Sequence, residues 1–130
     1  MKLIASALAL ISLSIAGAAF AQEATPEPFV GKWRAEWVAR SGKTTQADLD
    51  LPASGPGSWH TFGNSRSNTC AGKVGPVYVQ EATAEQVVLM IKMSETVASC
   101  EDSKLTLKAN PGGAPAGQWR SGGAVTISPR

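Results

Sequence analysis

The residue types that could form a nucleophile and its base are sparse in this chain of 130 residues. The one histidine, His60, follows Ser58 by two positions, and together with Asp48 these side chains have the composition of a hydrolase triad. No serine lies in the G-x-S-x-G turn that exposes such a nucleophile in many hydrolases. A lone histidine beside a strand tryptophan is most often a surface or hydrogen-bonded residue, so we predict that the protein is not an enzyme. Paired carboxylates brought together from distant strands leave no sequence trace, and that alternative stays open.

Metal and phosphate ligands show no recognisable spacing. The sequence contains no H-x-x-x-H, C-x-x-C or EF-hand pattern. Asp48 and Asp50 belong to a solvent-facing alternation rather than to a converging site. The glycine pairs at 112–113 and 122–123 are typical of hairpin turns rather than of phosphate loops. We therefore expect no metal ion and no other cofactor.

Two cysteines, Cys70 and Cys100, follow the apolar N-terminal segment. They are too far apart in sequence for a C-x-x-C redox pair. In an oxidising compartment an even number of cysteines indicates a disulfide, and two cysteines permit a single intramolecular pairing. Closing a loop of about 30 residues would stabilise the fold by roughly 3.5 kcal/mol, so we predict a structural disulfide.

Three of the four tryptophans follow a glycine by two positions, in Gly31-Lys32-Trp33, Gly57-Ser58-Trp59 and Gly117-Gln118-Trp119. Each tripeptide is predicted to open an extended segment, because glycine frees the backbone and tryptophan fills the space beneath the turn. The repetition favours a closed or nearly closed β architecture that aromatic rings plug. The inward-facing Trp33 and Trp37 are predicted to fill the bottom of that barrel.

A second role for aromatic residues is to line an apolar cup near the loops. The candidate ligand or interaction residues are Trp59, His60, Trp119 and Arg120. Met90 and Met93 could join this site because methionine adapts to varied shapes, although core filling is the competing role for both.

The ends of the chain differ in composition from its centre. Residues 1–21 combine a basic start, an apolar run and an Ala-x-Ala cleavage site, which predicts a bacterial signal peptide and export to the periplasm or beyond. Residues 22–28 are predicted to be a flexible lead-in, and 29–130 to be one domain. Of 12 basic and 10 acidic residues only Lys2 lies in the signal segment, so the mature chain carries a net charge near +1. This balance argues against a nucleic-acid partner, and no membrane-spanning segment is expected after signal removal.

Alternation with a period of two predicts most strands. A helical stripe through Val30, Trp33 and Trp37 competes with the first of them, but Gly31 and the aromatic content favour a strand. The inward-facing sets are Trp33, Ala35 and Trp37; Ala47, Leu49 and Leu51; Val77 and Val79; and Leu105 and Leu107.

Glycine, proline and polar residues predict the connections between these strands. Residues 41–43 form a predicted hairpin turn, 52–57 a loop, and 110–117 a turn. The polar stretch 63–68 is predicted to be the most mobile loop and the rim of any binding site.

The stretch 84–98 admits two predictions. A capping-box pattern at Thr83–Gln86 would start a helix. The apolar run Val87–Met93, rich in β-branched residues, favours a hairpin strand that is apolar on both faces. We favour the strand and leave the helix open.

Short strands separated by turns every eight to twelve residues predict an all-β domain, most simply a small antiparallel barrel of seven to eight strands. The first strand, which opens with Gly31-Lys32-Trp33, resembles that of the calycins, the group of lipocalins and avidin-like barrels. The resemblance implies a late arginine packed against the first tryptophan, a role open to Arg120 or Arg130. Further lipocalin signatures and a set of biotin contacts are not found, so it implies no particular ligand.

These observations predict a non-enzymatic binding protein with an aromatic-lined mouth for a small apolar or amphiphilic ligand. A barrel interior completely filled by Trp33, Trp37, Leu49 and Leu89 would argue against this function. The alternative is a protein-binding module, such as a secreted hydrolase inhibitor or a host-interaction antigen, which would use the loops at 52–57 and 63–68.

Overall fold

A computed structural model describes residues 22–63 and 68–130. Eight strands and two single-turn 3-10 helices follow one another in this part of the chain. The strands are β1 (Gly31–Val38), β2 (Thr44–Leu51), β3 (Gly57–Thr61), β4 (Val74–Ala82), β5 (Gln86–Ile91), β6 (Ser103–Asn110), β7 (Gly113–Trp119) and β8 (Ala124–Pro129), and the 3-10 helices are Glu27–Phe29 and Met93–Glu95. Neither helix is long and apolar enough to cross a membrane, and the same holds throughout the described residues.

The strands form one closed antiparallel barrel in which every strand pairs with its neighbours in sequence. Closure comes from β1 and β8, where Ala35 lies opposite Ile127. The predicted all-β barrel of seven to eight strands is therefore confirmed, with eight. Because the meander has no crossover, loops after odd-numbered strands meet at one end of the barrel, here called the upper end. Loops after even-numbered strands and the chain termini meet at the lower end.

The predicted alternation places one face of each strand inside the barrel. Ala35 of β1 and Ala47 of β2 are opposite each other and fully buried. Larger aliphatic side chains fill the interior around these small residues, each with at most 1% exposure: Leu49, Leu51, Val77, Val79, Val87, Leu89, Ile91, Leu105 and Leu107. The middle and lower parts of the barrel therefore form a packed core and leave no internal chamber for a ligand.

An aromatic plug closes the lower end. Phe29, in the first 3-10 helix, is fully buried, and its carbonyl accepts a hydrogen bond from the indole N–H of Trp33 at 3.0 Å. Gly31 between them adopts a positive φ of 148°, a backbone conformation that residues with a side chain rarely adopt. This conformation explains why glycine is needed in the first Gly-x-Trp tripeptide.

The segment predicted to be a flexible lead-in lies against the same end. The backbone N–H of Glu23 donates to the carbonyl of Val79, and that of Thr25 donates to the carbonyl of Ala53, each at 3.2 Å. The Thr25 residue is buried. Backbone hydrogen bonds therefore tie the lead-in to β4 and to the β2–β3 loop.

Two predictions about the C-terminal half need correction. The turn predicted over 110–117 is confined to Pro111 and Gly112, and β7 begins at Gly113. Pro115 fits within this strand because it lies at an irregularity in the pairing of β6 with β7, where a missing backbone donor is tolerated. As a result, the third Gly-x-Trp tripeptide ends a strand rather than opening one.

The stretch 84–98 begins with a strand, as favoured from the sequence, and contains no α-helix. β5 occupies Gln86–Ile91, and the second 3-10 helix follows it at Met93–Glu95. The apparent capping box forms the β4–β5 turn, in which the Thr83 hydroxyl accepts from the backbone N–H of Gln86 at 3.1 Å. A threonine oxygen can serve a hairpin turn as well as a helix start, which is why the motif was ambiguous.

The predicted disulfide is confirmed. Cys70 and Cys100 are bonded, with their α-carbons 5.8 Å apart. The bond joins the β3–β4 loop to the β5–β6 loop at the upper end. The predicted mobile loop at 63–68 has its central residues, 64–67, outside the described part of the chain.

Candidate functional site

Three tryptophans from three strands meet inside the upper end of the barrel. Trp37 is the penultimate residue of β1, Trp59 lies in the middle of β3 and Trp119 is the last residue of β7. Their ring centroids are 5.3 to 5.7 Å apart in all three pairs. Trp119 meets both of the others near a right angle, at 78° and 71°, the edge-to-face arrangement that indole quadrupoles favour. We call these three residues the tryptophan cluster.

The strand register sets the level of each indole. Trp59 lies opposite Leu49 on one side and Gly75 on the other. A Cβ at Gly75 would collide with the sulfur of Met93, so the glycine allows Met93 to pack inside the barrel mouth. The indole N–H of Trp59 donates to the Thr61 hydroxyl at 2.8 Å, which satisfies the polar atom of a residue only 3% exposed.

An open cavity of about 560 Å³ lies at the cluster and is here called the cup. Its inner lining is apolar and includes Ile91, 1% exposed, and Met93, 8% exposed. The disulfide supplies part of its wall, since both cysteines line it. The described residues that line it are Trp37, Trp59, Thr61, Asn68, Cys70, Ala71, Ile91, Met93, Ser99, Cys100, Glu101, Ser103 and Trp119. Polar residues supply almost half of the lining surface, so the cup is amphiphilic, with an apolar inner part. A concave surface that combines apolar side chains with polar groups is the usual chemistry of a small-molecule site.

Polar contacts hold the β5–β6 loop that forms one side of the cup. The Asp102 carboxylate accepts hydrogen bonds from the Ser94 backbone N–H at 3.0 Å and from its hydroxyl at 2.9 Å. The Lys92 ammonium lies 3.1 Å from the same carboxylate. The hydrogen bond from the Ser94 backbone, with the Ser94 hydroxyl and Lys92, holds the pKa of Asp102 below its ordinary value. The ionised carboxylate is thus the form that ties the two ends of this loop together.

The second 3-10 helix is also tied to β4. The Thr96 hydroxyl donates to the Val74 carbonyl at 2.7 Å. The Tyr78 hydroxyl donates to the Glu95 carboxylate at 2.6 Å, and this hydrogen bond raises the pKa of Tyr78. These contacts fix the β5–β6 loop on β4, and the disulfide fixes it on the β3–β4 loop. The cup wall is therefore constrained before any ligand arrives.

The predicted ligand residues divide between the inside and the outside of the barrel. Trp59 and Trp119 line the cup. His60 is on the outer face of β3, where its ring lies 5.5 Å from that of Phe62. Arg120 is in the exposed turn after β7, outside the cup, and its backbone N–H donates to the Lys104 carbonyl.

The other predicted positions separate in the same way. Trp33 and Trp37, expected together at the barrel bottom, lie at opposite ends, with Trp37 in the tryptophan cluster. Met93 lines the cup, whereas Met90 lies on the outer face of β5 beside a second cavity of about 510 Å³. Trp119 and Ser103 border both cavities, so Trp119 forms part of the wall between them.

The hydrolase-like residue types share the outer face of β2 and β3 but do not form a triad. Asp48 lies opposite His60 in the strand pairing. Its carboxylate instead binds Arg34 at 2.7 Å and Arg130 at 3.0 Å. Arg34 also stacks over Phe62, 4.7 Å from the ring centre. This network joins β1, β2 and the C-terminus, which is a structural arrangement.

The two arginines suggested by the calycin resemblance lie at different ends. Arg130 is beside β1, where its backbone N–H donates to the Lys32 carbonyl next to Trp33 in sequence. Arg120 is at the upper end, remote from Trp33. Within residues 22–63 and 68–130, no group of three His, Cys, Asp or Glu side chains is placed to hold a metal ion.

Sequence reasoning did not identify Trp37, Glu101 or the disulfide as parts of a site. Trp37 could have been placed at the upper end from the sequence. It lies near the end of an odd-numbered strand, as Trp119 does, and in an antiparallel meander the ends of all odd-numbered strands lie on the same side. Glu101 could not, because the course of the long β5–β6 loop is set by its tertiary contacts. The disulfide was predicted as a stabilising cross-link. Its place in the cup wall was not predicted, because it depends on which two loops the bond joins.

Comparison of the chain with known protein families, with curated proteins and with solved structures gives no match. The calycin resemblance accordingly stays a prediction. The function must be argued from the geometry of the cup and from the chemistry of the side chains that line it.

Proposed function

We propose that the protein is an exported, non-enzymatic binding protein that holds a small apolar or amphiphilic ligand in the cup. The observation that carries this proposal is the tryptophan cluster, which lines an open cavity of about 560 Å³ above a filled core. Small-ligand pockets typically have volumes of about 300–1,000 Å³. Leu49 and Leu89 fill the barrel interior, which argues against a ligand site deep within the barrel. Trp37 lies at the upper end and lines the cup, so the proposal is restricted to a ligand in the mouth.

Folding leaves part of the aromatic surface of the cup uncovered. Trp37 and Trp119 are only partly buried although both face the barrel interior. Burying apolar surface is worth about 25 cal/mol per Å², so a ligand that covers these rings gains affinity from surface that folding leaves exposed. The disulfide and the Asp102 contacts hold the opposite wall, which reduces the entropy lost on binding.

The direct test is a fluorescence titration with the neutral apolar dye N-phenyl-1-naphthylamine. Trp119→Leu removes one cup wall, and Trp33→Leu makes the same chemical change at the lower end. We expect wild-type protein to bind the dye, Trp119→Leu to bind about tenfold more weakly, and Trp33→Leu to keep the wild-type Kd per folded molecule. Circular dichroism establishes the folded fraction of each variant. Equal weakening by both substitutions, or no binding by wild-type protein, would overturn the proposal.

A second candidate function, a protein-binding module, is favoured by a different observation. The exposed large apolar residues among those described are Val38, 68% exposed, and Val74, 53% exposed, and both lie at the upper end. The loop at 52–57 is at the lower end, so the two predicted interaction loops do not form one surface. This function predicts that Val38→Ser weakens a complex with an exported hydrolase, whereas shortening of 52–57 does not. The reverse result would exclude the upper rim as the interface.

A further inference from the structure

The charge of the cup lining is the starting point for its ligand class. Among the described residues that line the cup, Glu101 is the one with an ionisable charge. In the part of the chain that the structure describes, no hydrogen bond or ion pair engages the Glu101 carboxylate. The adjacent Asp102, by contrast, is fully engaged by Ser94 and Lys92. One carboxylate is thus free at the rim of an aromatic cavity.

Like the Glu101 carboxylate, the indole rings attract a cation. The face of an aromatic ring carries negative potential and attracts a cation within about 6 Å of its centre, with tryptophan the strongest of the aromatic side chains. Three indoles line one cavity here, and two of them, Trp37 and Trp119, are only partly buried and keep some ring surface uncovered. Met93 and the cystine add polarizable sulfur, which suits soft, apolar groups.

We propose that the ligand carries a methylated ammonium group, bound by the tryptophan cluster and Glu101. This proposal rests on the proposed binding function and names its ligand class. A quaternary ammonium has no N–H to satisfy, and its methyl groups bury well against indole faces. A primary ammonium needs acceptors for three N–H groups. Two of the polar lining groups are already engaged, the Thr61 hydroxyl by the Trp59 indole and the Asn68 side-chain oxygen by the Cys70 backbone N–H. The cavity is larger than a trimethylammonium group, so it also accommodates an attached chain.

The competing ligand class is an anionic amphiphile. Lys104 and Arg120 border the second cavity, on the other side of Trp119. A negative head group would be attracted to that side, where Asp102 is already paired with Lys92. It would meet the unpaired carboxylate of Glu101 if it entered the cup. The two classes therefore predict opposite effects for removal of the Glu101 charge.

The test compares choline with 3,3-dimethylbutanol, a neutral molecule of the same shape in which carbon replaces nitrogen. Binding is followed by the tryptophan fluorescence of the full mature protein. We expect choline to bind about fivefold or more tightly than its neutral analogue, and added salt to weaken choline alone. Glu101→Gln should weaken choline about three- to tenfold and leave the neutral analogue unchanged. Glu85→Gln, the same change in a turn at the lower end, should affect neither.

The outcomes separate this inference from the proposed function. If the naphthylamine dye binds in a Trp119-dependent way but choline binds no better than its analogue, the cation inference is overturned and the binding function stands. Tighter binding of decanoate than of decyltrimethylammonium, with affinity for decanoate increased in Glu101→Gln, would also overturn it and identify an anionic ligand. If no probe binds, both proposals fail.

Discussion

The two ends of the barrel use the same aromatic residue types in different ways. At the lower end Phe29 is fully buried, and Trp33, although partly buried like Trp37 and Trp119, has its indole N–H satisfied by the Phe29 carbonyl. At the upper end three indoles contact one another but leave surface open to a cavity of about 560 Å³. Backbone contacts from the lead-in cover the lower end, whereas a disulfide and a hydrogen-bonded loop hold the upper end open.

This difference indicates a division of labour between stability and binding. Interactions at the lower end remove apolar surface from water and are expected to contribute mainly to folding. Interactions at the upper end hold the shape of an aromatic surface that stays partly exposed. An exposed apolar patch often marks a binding site. Substitutions at the two ends should therefore separate stability from ligand affinity.

The largest expected effect is at the lower plug. Phe29→Ala would empty a fully buried site and should lower the free energy of unfolding by about 3–5 kcal/mol. Urea denaturation measures this loss. The folded fraction should still bind dye with the wild-type Kd, because the plug does not contact the cup. A loss of affinity larger than the loss of folded protein would contradict the separation of the two ends.

Loss of the disulfide should affect both stability and ligand binding, because the bond lies at the upper end and lines the cup. Replacing Cys70 and Cys100 together by serine should cost roughly 3.5 kcal/mol, from loss of the loop constraint on the unfolded chain. For a domain of this size the melting temperature should fall by more than about 10 °C. Calorimetry of the oxidised and reduced wild-type protein is the companion measurement. Because the cystine lines the cup, dye affinity should also fall, unlike in Phe29→Ala. Unchanged melting would show that the bond contributes nothing.

Substitution of Trp33 and of Trp37, both in β1, should have smaller effects that differ in kind. Trp33→Phe removes the indole donor to the Phe29 carbonyl and should cost about 0.5–1.5 kcal/mol of stability, with no effect on dye binding. Trp37→Phe should do the reverse and weaken dye binding more than it lowers stability. Chemical denaturation and titration of both variants give the comparison. Similar profiles for the two would mean that Trp37 is simply a core residue.

The smallest effect depends on pH. The pKa of Asp102 is lower in the folded protein than in an unfolded chain, where aspartate titrates near about 3.9. The ionised Asp102 carboxylate therefore contributes to the free energy of unfolding above that pH. This contribution is lost as the pH falls through the lowered pKa of the folded state. Asp102→Asn should reduce stability by less than about 1 kcal/mol at pH 7, because the carboxylate is partly exposed, and should make no difference in strong acid. Asp50→Asn, on β2, is the control. A pH-independent effect of Asp102→Asn would contradict the charge-based explanation.

The sequence predicts local features of this fold well. Alternation identified β1, β2 and β6 because one face of each strand meets the core and the other meets solvent. It failed at β7, where Pro115 and the glycines suggested a turn. The context that makes Pro115 acceptable is an irregularity in pairing with β6, and pairing partners are not visible in a single strand's sequence.

The candidate site was only partly predictable for the same reason. Trp59 and Trp119 were identified as possible cup residues, but His60 and Arg120, their sequence neighbours, point elsewhere because adjacent strand residues face opposite sides. The meeting of Trp37 with both depends on barrel closure between β1 and β8. Long-range register, rather than local propensity, assembles the cup.

Native mass spectrometry of the mature protein, isolated without detergent from its native host, tests the central claim most directly. We predict a discrete mass in excess of the disulfide-bonded polypeptide, present in the wild-type protein and in Trp33→Leu but lost or much reduced in Trp119→Leu. A bare polypeptide mass for the wild-type protein, or an adduct that persists equally in Trp119→Leu, would contradict the account of the upper end as a ligand-binding cup.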